Sequence, residues 1–142
     1  MTLLDPNPTL VEAVPVCRAE ALQPGRGVAA LVGGRAVAVF RLDPALVAVG
    51  DDGLRAVDNV DPYADASVLS RGLLGATRRG DDLVHYVASP LRKQRFDLAT
   101  GEELDGPARI ATWGVSLVDG VVHVTPRATA ASHRGNGGET SP

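Results

Sequence analysis

The chain has 142 residues, 44% hydrophobic and 22% charged, enough for one soluble domain with its own core. Its net charge of −3 excludes the concentrated positive field that nucleic-acid binding needs. No apolar run approaches the roughly 20 residues that span a bilayer, and Met1-Thr2-Leu3-Leu4-Asp5-Pro6 has neither the basic nor the apolar region of a signal peptide, so the expected location is cytoplasmic with no membrane contact. Aromatic residues are only 4%, which leaves Val, Leu and Ala to build the core. The single cysteine, Cys17, excludes an intrachain disulfide, a CxxC redox pair and a cysteine-held cluster. Lys93 is the only lysine among fourteen basic side chains, which compositional bias explains more simply than a demand for guanidinium chemistry.

Residues 1–9 carry Pro and Asn and are expected to be flexible. Val11 to Arg18 is apolar and extended, a first strand with Cys17 as a buried, inert thiol. Leu22 to Gly27 is a turn. Val28–Val32 and Arg35–Arg41 flank Gly33-Gly34, a two-residue hairpin signal. Leu46–Val49 and Leu54–Val57 flank Asp51-Asp52-Gly53, a second expected hairpin. Asp58 to Arg79 reads as a loop, with Arg78-Arg79-Gly80-Asp81-Asp82 an exposed turn at its end. Val84–Ala88 is a short strand and Ser89–Arg95 a second polar loop. Thr112–Val118 and Val121–Thr125 flank Asp119-Gly120, the strongest hairpin signal in the chain because Asp-Gly suits a type I′ turn. Residues 126–142 are Ala, Thr, Ser, Gly and Asn with little apolar bulk, so a disordered tail is expected. Regular turns and no helical stripe longer than about two turns predict an all-β sandwich or barrel over residues 10–125.

Asp58 to Gly101 has the layout of a Rieske iron–sulfur subdomain with its ligands replaced. A Rieske centre needs Cys-x-His in one loop and Cys-x-x-His in another, because two thiolates hold one iron and two imidazoles the other. Here Asn59 and Asp61 stand at the first pair and Ser89 and Arg92 at the second. Neutral amide and hydroxyl groups bind iron–sulfur centres poorly, and a guanidinium has no acceptor with which to coordinate a metal.

Three blocks occur in order: Asp58-Asn59-Val60-Asp61-Pro62-Tyr63, then Val68-Leu69-Ser70-Arg71-Gly72, then Ala88 to Phe96. Together they resemble the small subunit of assimilatory NAD(P)H-dependent nitrite reductase, from about Val14 to Val124. The resemblance implies a Rieske-type [2Fe-2S] ferredoxin-like fold of antiparallel sheets, with residues 58–101 as an inserted, cluster-free two-loop subdomain. It also implies a large-subunit partner that carries FAD, an iron–sulfur cluster and sirohaem and reduces nitrite to ammonium. No cofactor and no catalytic centre are expected in this chain.

Two polar ties are expected between the loops: Asp61 with Arg92, or Asn59 with Ser89. The alternative leaves Asp61 and Arg92 solvated and unpaired. An exposed tyrosine among basic side chains is typical docking chemistry, which singles out Tyr63, Arg71, Arg92, Lys93 and Arg95 as contacts for the large subunit. The competing reading has Tyr63 capping the subdomain's own core, with the arginines a solvated face. His85 and His123 fall within strands and are expected to be structural, since a zinc site needs three or four convergent ligands. Trp113 is expected in the core. Two other functions are conceivable: a cluster-free interaction module of another oxidoreductase, and a Rieske ferredoxin carrying electrons, against which the missing thiols count.

Overall fold

The computed structural model describes residues 13–128. Among them eleven strands follow in chain order: β1 (Val14–Arg18), β2 (Gly27–Val32), β3 (Arg35–Arg41), β4 (Leu54–Asp58), β5 (Val60–Asp61), β6 (Ala66–Ser67), β7 (Leu73–Arg79), β8 (Asp82–Ala88), β9 (Arg95–Asp97), β10 (Thr112–Val118) and β11 (Val121–Ala128). Six form an antiparallel sheet in the order β1-β11-β10-β4-β3-β2. β7, β8 and β9 make a second sheet, and β5 pairs with β6. Residues 59–111 leave the large sheet at the end of β4 and return at the start of β10, where Val57 faces Thr112.

Both hairpins read from two-residue turns form in the expected register. Val32 faces Arg35 across Gly33-Gly34, and Val118 faces Val121 across Asp119-Gly120. Asp119 and Gly120 have φ of 52° and 78°, the pair of positive values that a type I′ turn demands.

Between its terminal arginines β3 is apolar, because Val37–Phe40 is buried on both faces. Val37 and Val39 enter one core with Leu22, Leu54, Ala56, Trp113, Val122 and Val124, where the large sheet curls until β2 approaches β11. Ala38 and Phe40 enter a second core with Val57, Leu69, Val87, Phe96, Leu98 and Ile110, between the large sheet and the β7–β9 sheet. The expected burial of Trp113 holds, and Cys17 packs half-buried at the edge of the first core. That burial raises the Cys17 thiol pKa.

Three expectations are corrected. Leu46–Val49 is not a strand. Asp43 accepts from the Ala45 N–H at 2.9 Å and caps a 3-10 turn over Pro44–Leu46, and the chain then runs irregularly to Gly53. β4 already lies between β3 and β10, so it has no free edge for a hairpin partner. Leu73–Arg79, read as loop, is β7; its side chains are largely exposed, so no apolar alternation announces it. Finally, β11 continues past Thr125 to Ala128, which faces Trp113 beyond a bulge. The N-terminal segment 1–9 and the remainder of the expected tail lie outside the described residues.

Candidate functional site

The two loops expected at the cluster position, those of Asp61 and Ser89, meet through side chains. Asp61, at the end of β5, is fully buried, and its Oδ2 accepts the Ser89 hydroxyl at 2.5 Å. Its Oδ1 accepts the backbone N–H of Tyr63 at 2.8 Å and of Ala64 at 3.3 Å. Ser89, equally buried, holds its own loop: its N–H donates to the Gln94 carbonyl and its carbonyl accepts from Lys93, both at 2.9 Å, while its Oγ accepts from the Leu91 N–H at 3.2 Å. Closing this tight loop places Lys93 in the left-handed region, at φ 67°.

Both expected cross-loop ties are replaced. Asp61 pairs with Ser89, not Arg92; Arg92 is exposed and makes no ion pair or hydrogen bond among the described residues. Asn59 turns away from Ser89, and its Oδ1 accepts the Ser70 N–H at 2.6 Å. The Asn59 carbonyl takes the Val68 and Leu69 N–H groups and its N–H donates to the Ala36 carbonyl, so this residue pins the 68–71 loop to β3. The reason is chemical. A buried carboxylate needs donors and finds three, whereas a guanidinium gains more from remaining hydrated.

This donor set does not fit a Rieske cluster. The oxygens of Asp61 and Asn59 are engaged, Arg92 has no lone pair to give, and Cys17 lies on β1 in the other sheet. No three His, Cys, Asp or Glu side chains converge among the described residues. The His85 Nε2–H donates to the Leu46 carbonyl at 3.1 Å, tying β8 to the 3-10 turn, and the His123 Nδ1–H donates to the Val121 carbonyl at 3.1 Å, a local bond.

The expected docking residues fall into two groups. Arg71, Arg92 and Lys93 are exposed and unpartnered among the described residues. Arg95 instead donates to both Asp105 oxygens at 3.0 and 2.9 Å and lies over the Tyr86 ring at 5.1 Å. Tyr63 is 41% exposed, and its hydroxyl donates to Glu103, which also accepts from the Ala108 N–H. The hydrogen bond to this carboxylate raises the Tyr63 hydroxyl pKa. Tyr63 therefore both presents a ring face and fastens its loop to the 103–108 segment.

The sequence reading placed Ser70 in the second block but missed its bond to Asn59, 11 residues away, and it missed Glu103, whose partner Tyr63 lies 40 residues away. It also missed a hub at Asp58. Asp58 accepts from Arg35 at 3.0 and 3.1 Å, from the Trp113 indole at 3.0 Å and from the Ala111 N–H at 3.3 Å, with Arg35 lying over the indole. This hub ties the start of the loop region to the strand by which the chain returns.

No helix among the described residues is long and apolar enough to cross a membrane. The Rieske-like [2Fe-2S] domain family matches residues 12–125. The nitrite reductase (NADH) small subunit of Salmonella typhimurium is 40% identical over 110 residues, covering 77% of this chain and 93% of the relative. A solution structure of the nitrite reductase [NAD(P)H] small subunit from Erwinia carotovora superposes with a TM-score of 0.59 at 38% identity, covering 80% of each chain. A nitrite reductase [NAD(P)H] large subunit of Klebsiella oxytoca is 36% identical over 110 residues, which are 77% of this chain but 10% of that protein. The chain thus belongs to the Rieske-like [2Fe-2S] domain family and, within it, to the nitrite reductase small subunits.

Proposed function

We propose that this chain is the accessory subunit of a cytoplasmic NAD(P)H nitrite reductase, in which it carries no redox centre and acts by binding the large subunit. The large subunit supplies FAD, an iron–sulfur cluster and sirohaem and reduces nitrite to ammonium for nitrate and nitrite assimilation. The observation that carries this reading is the Asp61–Ser89 hydrogen bond, which fills with a satisfied polar pair the place where this fold would hold its cluster. The Klebsiella oxytoca relative adds support, because a segment like this chain lies there within a large subunit.

The meeting of Asp61 with Ser89 also favours a revised register for the lost ligands. These two buried residues stand where the two thiolates would be, and the imidazole positions then fall two and three residues later, on exposed Tyr63 and Arg92. Asn59 leaves the ligand set. The docking face comprises Tyr63, Arg71, Arg92 and Lys93, with Arg95 holding the neighbouring 105 segment in place.

The test is to titrate the purified chain into the large subunit and follow nitrite-dependent NADH oxidation. A saturable rise in rate is expected from a colourless small subunit. No change in rate, with no complex in sedimentation, overturns the reading and leaves an interaction module of some other oxidoreductase. Visible absorption with matching iron in the isolated chain overturns its cluster-free part.

A further inference from the structure

We infer that a groove between the 24–27 turn and the 68–72 loop receives an acidic side chain of the large subunit, with Arg26 and Arg71 clasping its carboxylate. The inference rests on the docking reading above and adds to it a residue, Arg26, that lies outside both Rieske loops.

Most cations of the chain are already committed. Arg18, Arg35, Arg55, Arg95 and Arg109 pair with acidic side chains. Arg41, Arg78 and Arg79 bond to backbone carbonyls. Among the residues whose side chains are described, the cations left without a partner are Arg26, Arg71, Arg92 and Lys93. All four are exposed, on three loops packed against one another. A Cβ at Gly27 would come within 2.5 Å of the Ser70 carbonyl, and one at Gly72 would strike the carbonyl of Ala88, the residue before Ser89.

Those contacts also build the groove. It encloses about 360 Å³ and is lined by Gly25, Arg26, Gly27, Ser70, Arg71 and Gly72. Close backbone contacts at Gly27 and Gly72 hold its two loops together, and an occupant would order the Arg26 and Arg71 side chains. The Ser70 hydroxyl makes no bond among the described residues and adds a donor. Two guanidinium groups and a hydroxyl on a rigid groove suit a carboxylate held by charge-assisted hydrogen bonds. The occupant is a protein carboxylate rather than a nucleic-acid backbone, because a chain of net charge −3 repels an extended polyanion while unpaired cations on adjoining loops attract a local acidic patch.

The experiment measures the affinity of the full chain for the intact large subunit, for wild type, Arg26→Glu, Arg71→Glu and the Arg92→Glu/Lys93→Glu pair, with Arg18→Glu on β1 as a control. Each groove reversal is expected to raise Kd about 10-fold or more and to flatten its salt dependence, while Arg18→Glu stays within about twofold. Circular dichroism and thermal melting verify that each variant is folded. Wild-type affinity in Arg26→Glu, with weakened binding in the Arg92/Lys93 pair, overturns the groove and leaves the loop-tip docking face standing. Wild-type affinity in every variant overturns both docking assignments. Failure of the wild-type chain itself to bind refutes the proposed function, and this inference with it.

Discussion

The body of the molecule and its loop tips are held by opposite means. In the body, two apolar clusters share β3, which sends Val37 and Val39 to one and Ala38 and Phe40 to the other. At the tips the buried side chains of Asn59, Asp61 and Ser89 are polar, and each is satisfied by specific donors or acceptors. Apolar packing is divided over many small contacts and tolerates local change. A buried polar lock is directional, and deleting one member strands the others without water. A metal centre in this fold would organise the same loops by coordination. Here hydrogen bonds do so, and the surface they support leaves Tyr63, Arg92 and Lys93 exposed.

The largest expected effect breaks the body. Phe40→Ala removes a fully buried ring from between the two sheets and should cost about 3–5 kcal/mol, seen as a lower denaturant midpoint for the whole domain. Loss confined to the tips would show that the two regions unfold separately.

Next comes the lock. Asp61→Ala leaves the Ser89 hydroxyl and the Tyr63 N–H without their acceptor and should cost about 2–3 kcal/mol. Hydrogen exchange should quicken across 59–72 and 89–94 while β3 and β4 stay protected. Unchanged exchange in both loops would show that the lock does not order them.

A smaller effect sharpens the contrast within the body's own surface. The Arg55 guanidinium, helped by the Gly53 N–H, lowers the Asp51 carboxyl pKa from 3.8 to about 2. Its folded value lies below its unfolded one, so the associated stability is present above about pH 4 and is lost as pH falls toward 2. The pair is partly solvated, which limits this contribution to about 1 kcal/mol. Comparing denaturant midpoints of wild type and Arg55→Met between pH 6 and pH 2 checks it: the gap should close on acidification.

The smallest effect on stability is expected from Tyr63→Phe, which loses an exposed hydrogen bond to Glu103 and should leave the melting curve unchanged. Tyr63→Ala should instead weaken large-subunit binding if the proposed docking face holds, because it removes that face's exposed ring. Equal affinity for all three proteins would remove Tyr63 from that face.

Where structure depends on near neighbours, the sequence was readable. Gly33-Gly34 and Asp119-Gly120 dictate their hairpins because few residues accept two successive positive φ values. β11 reads as strand because its burial follows the pleat, and β3 because a short apolar run bounded by turn signals suits a strand buried on both faces. β7 was not readable, since an exposed edge strand needs no apolar face, and Leu46–Val49 misled because a Val-rich run says nothing about whether a neighbouring edge is free.

At the site, the residue types alone excluded a cluster: one cysteine cannot supply two thiolates, and arginine cannot coordinate iron. Which side chains meet was decided only by the tertiary structure. Asp61 and Ser89 lie 28 residues apart and Tyr63 and Glu103 lie 40 apart, and nothing local sets either distance. Desolvation made the final selection. Inside the fold a carboxylate keeps only the partners that replace its water, so Asp61 took a hydroxyl and two backbone amides, and Arg92 stayed in solvent.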